Sequence, residues 1–160
     1  VEGQANVAVT PGQVLSIELT PNDPAVHPAV LAAVAEADWL VFGPGSWFTS
    51  VVPHLLVPRL ARAILASPAR RLVVLNLQQA GETAEYTASQ HLDVLTGYAP
   101  GLTVDAVVAD PAFAALDPGL AVRAAGLGGR LTVAPVGQAD GSPRHDPLLL
   151  AATLARAFGL

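Results

Sequence analysis

Cysteine is absent from the 160 residues, and with it disulfides, thiolate chemistry and cysteine zinc sites. Lysine is absent as well: all eight basic residues are arginines. With a net charge of -5, the chain lacks the basic face of a general nucleic-acid binder. Charged residues are scarce at 13%, while hydrophobic residues make up 52%, a balance that excludes disorder as a reading of the whole. Long apolar runs are missing too. The richest stretches, Val51–Leu56 and Leu148–Leu154, fall far short of a bilayer span, so no membrane insertion is expected. The opening Val1-Glu2-Gly3-Gln4 has no basic patch followed by an apolar run and does not read as a signal peptide. A cytoplasmic location is the expectation. No GxSxG elbow and no HExxH occurs, and His27, His54 and His91 are too scattered for a helical zinc pair.

What is present alternates. Short apolar runs at Trp39–Phe42, Leu72–Leu75, Val104–Val108 and Leu131–Val136 read as buried strands. Between and around them, Pro28–Ala37, Val51–Leu65, Thr87–Leu95, Pro118–Ala125 and Pro147–Phe158 carry helical spacing, the last with Asp146 as N-cap. Such alternation predicts an α/β fold, a mostly parallel sheet with helices on both faces. Val7-Ala8-Val9 and Val14–Leu19, around Thr10-Pro11-Gly12, predict a short β hairpin or edge strands at the N-terminus. There is no linker and no internal repeat, so a single domain is expected. Ligands of parallel sheets bind beyond the carboxyl ends of the strands, which directs attention to the loops after Phe42, Leu75, Val108 and Val136.

The first of these loops is Gly43-Pro44-Gly45-Ser46, followed by Trp47, Phe48, Thr49 and Ser50. Glycines let backbone N–H groups approach an anion, a helix start near Ser50 adds partial positive charge, and Ser46, Thr49 and Ser50 carry hydroxyl donors. An ordinary turn with Ser50 as N-cap would look the same. The aromatic residues here suit packing better than stacking on a ligand. After the second strand come Asn76, then Gly81-Glu82-Thr83; Asn76 could read a ligand, and Glu82 could accept a sugar hydroxyl or hold a metal. A polar surface loop is the competing reading. Tyr86 and His91 follow within a helical turn or so. Last is Arg144-His145-Asp146, where Arg144 could grip phosphate with its planar fork, or simply stand exposed at a helix start.

Taken together, the stretch from Ala37 to Val57, the block Asn76-Leu77, Gly81-Glu82-Thr83, Tyr86-Thr87 and His91, and the closing Arg144-His145-Asp146 resemble the gluconeogenesis factor (YvcK-like) family, of actinobacterial type. The likeness runs over essentially the whole chain. It implies a Rossmann-like fold shared with the CofD-like 2-phospho-L-lactate transferases. It also implies a cytoplasmic regulator of cell shape and cell-wall synthesis during gluconeogenic growth, which binds UDP-sugars such as UDP-N-acetylglucosamine and has no established reaction. The alternative implied is a transferase acting on a nucleotide diphosphate donor. By the same likeness Arg144 belongs to the UDP-sugar site. No other cofactor is implied; a homo-oligomer and cell-wall synthesis proteins are the possible partners. The family's Gly-rich N-terminal strand and loop are absent, so the chain is expected to be the C-terminal part of a larger domain.

Overall fold

The computed structural model describes residues 1–8, 14–79 and 81–159. Its centre is a four-stranded sheet of β1 (Trp39–Phe42), β2 (Arg70–Val74), β3 (Ala106–Ala109) and β4 (Arg130–Val133), in that spatial order. Every neighbouring pair is parallel, with Val41 opposite Leu72, Val73 opposite Val107 and Val107 opposite Leu131. In the two inner strands Leu72, Val73 and Val74 and all four residues of β3 are buried, because both of their faces are covered.

The strand order never reverses, so right-handed crossovers must all pass over the same face. The helices do so. Between β1 and β2 run a π-helical turn (Trp47–Val51), α3 (Pro53–Leu56) and α4 (Pro58–Ala66); α5 (Ala88–Tyr98) leads to β3, and α6 (Pro111–Ala114) and α7 (Leu120–Gly126) lead to β4. Leu55, Ile64, Leu92, Leu95, Phe113 and Leu120 from these helices meet Phe42, Val73 and Val107 in the larger core. The opposite face, with Leu72, Val74, Ala106 and Val108, is closed by α8 (Pro147–Phe158) through Leu150, Leu154 and Phe158. α2 (Pro28–Glu36) lies beside α4, and the Ser67 hydroxyl donates to the Val34 carbonyl. The helix expected as one piece from Val51 to Leu65 is broken. Pro58 lacks an N–H and forces Val57 into an extended conformation, which separates α3 from α4.

The N-terminal hairpin is a correction. Val7 and Ala8 belong to a short helix, α1 (Gln4–Ala8), and Val9 to Gly12 lie outside the described residues. Val14–Leu19 forms no strand. Both edges of the sheet lie elsewhere, and this segment packs its Val14 and Ile17 against the helical layer. Its backbone is satisfied there one group at a time: Val14 N–H donates to the Glu82 carbonyl, Ile17 N–H to the Tyr98 hydroxyl, and the Tyr86 hydroxyl to the Val14 carbonyl.

Candidate functional site at the carboxyl edge of the sheet

The chain leaves β1 at Gly43, whose φ of +81° suits only glycine. A Cβ there would stand 2.5 Å from the Val74 carbonyl oxygen. This close approach lays Pro44, Gly45 and Ser46 across the end of β2. Asn76 meets them from that strand, its Oδ1 accepting a bond from Gly45 N–H at 3.4 Å. The amide is thereby turned so that its NH₂ remains to donate elsewhere.

A third loop closes the site from the far side of the sheet. After β4 the chain forms a strap, with Gly137 opposite His145 in an antiparallel bridge, Gln138 N–H donating to the Arg144 carbonyl and Asp146 N–H to the Val136 carbonyl. Asp110, just past β3, fastens the strap's base by accepting from Val136 and Gly137 N–H at 3.1 and 3.3 Å. A cleft of about 350 Å³ results, lined by the Pro44–Ser46 loop, Asn76-Leu77-Gln78, Pro143 and His145. Burial holds the His145 imidazole below its ordinary pKa, against the opposing influence of the Leu75 carbonyl and the Asp110 carboxylate. The lining therefore consists of amides, a hydroxyl residue, a neutral imidazole and small apolar surfaces.

Of the residues singled out from the sequence, Pro44, Gly45, Ser46, Asn76 and His145 meet at this cleft, with Gly43 directing the first loop. Arg144 stands between two lining residues, exposed, and its guanidinium makes no hydrogen bond or ion pair among the described residues. Asp146 caps α8 by accepting from Leu148 and Leu149 N–H. The others lie beneath or behind. The helical turn begins at Trp47 rather than near Ser50, so Thr49 and Ser50 face a separate groove beside the N-terminal segment. Gly81-Glu82-Thr83 forms a 3₁₀ turn with Glu82 and Thr83 buried. Tyr86 and His91 are core residues, packed edge to face with each other. Trp47 and Phe48 are buried, as packing residues should be; Trp47 donates to the His91 carbonyl. Sequence reasoning missed Asp110 and Pro143. Asp110 carried a signal: an Asp-Pro pair just past a strand is the mark of an N-cap followed by proline at the first helical position, and Asp110 does cap α6.

Fold and cleft together define a Rossmann-like α/β domain with a polar cleft at the carboxyl ends of its strands. The chain belongs to the CofD family: the model for "2-phospho-L-lactate transferase CofD" matches residues 1–117. It is 43% identical over 158 residues to a putative gluconeogenesis factor of Mycobacterium tuberculosis, an alignment covering 96% of this chain and 46% of that one. To a putative gluconeogenesis factor of Deinococcus radiodurans it is 36% identical, covering 99% and 37%. A crystal structure of a UPF0052-family protein from Bacillus halodurans superposes with a TM-score of 0.80 at 28% identity, over 100% of this chain and 55% of that one. The chain thus spans about half the length of the curated relatives it matches. Among the described residues, no helix is long and apolar enough to cross a membrane.

Proposed function

We propose that the cleft binds a UDP-sugar, of the UDP-N-acetylglucosamine kind, and that the protein acts in the cytoplasm as a ligand-responsive regulator of cell shape and cell-wall synthesis during gluconeogenic growth. The observation that carries this reading is the convergence of the loops after β1, β2 and β4 on one polar cleft at the carboxyl edge of a parallel sheet. The relatives named as gluconeogenesis factors support the link to gluconeogenic growth. In this reading the diphosphate lies along the Gly43–Ser46 backbone, and the uncharged lining takes the neutral part of the ligand. A diphosphate also needs a full positive charge. In this reading Arg144, exposed and adjacent in sequence to the lining residues Pro143 and His145, supplies it. In the longer relatives the rest of the domain would complete the nucleotide site.

The test is calorimetric titration of the full-length protein with UDP-N-acetylglucosamine. A charge-assisted hydrogen bond contributes about 1.5–3 kcal/mol, or roughly one to two decades of affinity. Arg144→Ala should weaken binding by that factor and leave the melting temperature nearly unchanged, since the side chain is exposed. Equal affinity in wild type and variant removes Arg144 from the site. The family description favours a second reading, a transferase acting on a nucleotide diphosphate donor. Under that reading, turnover of such a donor in the presence of a deazaflavin acceptor replaces simple saturable binding.

A further inference from the structure

Among the described residues, Glu82 is the only acidic side chain in the core, 4% exposed. Burying a carboxylate is costly unless it is well partnered. Both of its partners come from one place, the loop after β1, more than thirty residues away. Oε1 accepts from the Ser46 hydroxyl at 2.6 Å and from Phe48 N–H at 2.7 Å, while Oε2 is buried with no hydrogen bond among the described residues. Its own turn is pinned independently: Ala84 N–H donates to the Gly81 carbonyl, Tyr86 N–H to the Thr83 carbonyl, and Val14 N–H to the Glu82 carbonyl. Glu82 is thus a fixed post, and the loop is what it holds.

The consequence reaches the cleft. With its proton given to Glu82 and a second bond to the Thr49 hydroxyl, the Ser46 side chain points inward. The loop presents its backbone, together with Pro44, to the cleft. We propose that Glu82 is a positioning residue for this loop: it draws Ser46 and Phe48 down so that the Pro44–Ser46 backbone is preorganised against the cleft. This rests on the reading that the cleft binds a phosphorylated ligand, for which a rigid backbone cradle avoids the cost of ordering a loop on binding.

Hydrogen exchange and titration on the full-length protein test it, with Glu82→Ala, Glu82→Gln and Ser46→Ala. A lost charge-assisted bond should speed amide exchange across Ser46–Val51 by about ten- to a hundredfold in Glu82→Ala, and less in Glu82→Gln, with β2 and β3 unchanged. The dissociation constant for UDP-N-acetylglucosamine should rise in parallel. The Ser46→Ala/Glu82→Gln pair should be no weaker than the worse single variant, because both act through one bond. A merely structural glutamate would raise exchange over the whole sheet and give additive losses. Either result overturns the proposal, as does a wild type that binds alongside Glu82 variants that bind equally well. If the wild type itself binds no UDP-sugar, the ligand reading falls, and loop exchange alone decides the role of Glu82. Should Glu82→Ala fail to fold, the isosteric Glu82→Gln carries the comparison.

Discussion

His91 illustrates how a single buried side chain sets a solution property of the protein. Its Nδ1–H donates to the Thr87 carbonyl at 2.7 Å, its Nε2 has no hydrogen-bond partner among the described residues, and Trp47, Tyr86 and Phe113 surround the ring. Burial lowers its pKa, only partly opposed by the Thr87 bond. The folded state therefore resists protonation more than the unfolded chain does. Stability from this group is fully present above the unfolded value of about 6.5 and is lost as pH falls below it, by at most about 1.4 kcal/mol per pH unit. His145, lowered in the same direction, adds to the trend. Urea unfolding at pH 7.5 and 5.5 should show the protein weaker at the lower pH, and His91→Gln should reduce that difference. An identical difference in the variant would assign the effect elsewhere.

Among the elements, α8 shows the tightest match between chemistry and boundary. Asp146 accepts from Leu148 and Leu149 N–H, Pro147 fills the first helical position, and Gly159 closes the helix at φ +81°. Among the described residues no other helix packs on the sheet face bearing Leu72, Val74, Ala106 and Val108, so its cap matters to the whole domain. Asp146→Ala should lower the unfolding free energy by about 0.5–2 kcal/mol, and Asp146→Asn by much less. A urea midpoint unmoved by the alanine would mean that the cap contributes nothing. The other face is built from shorter pieces with their own ties. Thr87 and Gln90 form a capping box at the start of α5, and the Arg71 guanidinium donates to the carbonyls of Ile64, Leu65 and Ser67 at the end of α4. This arginine closes a helix C-terminus and is committed to the edge of the sheet opposite the cleft.

For the molecule as a whole, the strand order explains where a ligand can sit. A sheet whose order never reverses has no crevice of the usual doubly wound kind within it. The cleft exists because the strap after β4 folds back over the ends of β3 and β2, fastened by Asp110. Rigidity should grade outward from the sheet. β2 and β3 are paired on both sides and covered on both faces, whereas α1 buries no residue. Amide exchange should therefore be slowest in Val73, Val74, Val107 and Val108, near the global unfolding limit, and fastest in Gln4–Ala8. Comparable protection of α1 and β3 would contradict this ordering.

The sequence by itself determined the layered α/β class and the approximate positions of all four strands, because each is marked by a short apolar run between helical patterns. It determined α8 from Pro147 to Phe158, since cap, proline and terminal glycine act over a few residues. It also pointed to Pro44, Gly45, Ser46, Asn76 and His145, because residues past strand ends in a parallel sheet share one edge. Only the tertiary structure decided the rest. The short run Val7-Ala8-Val9 looked like a strand, but a strand needs a partner edge, and Val7 and Ala8 belong instead to the short helix α1. Glu82 read as a surface ligand residue; its partners, Ser46 and Phe48, lie far away in the chain, and no local pattern announces a contact of that range. Thr49, Tyr86 and His91 are polar in composition yet buried in place, because what buries them is packing between separate elements rather than any periodicity of their own.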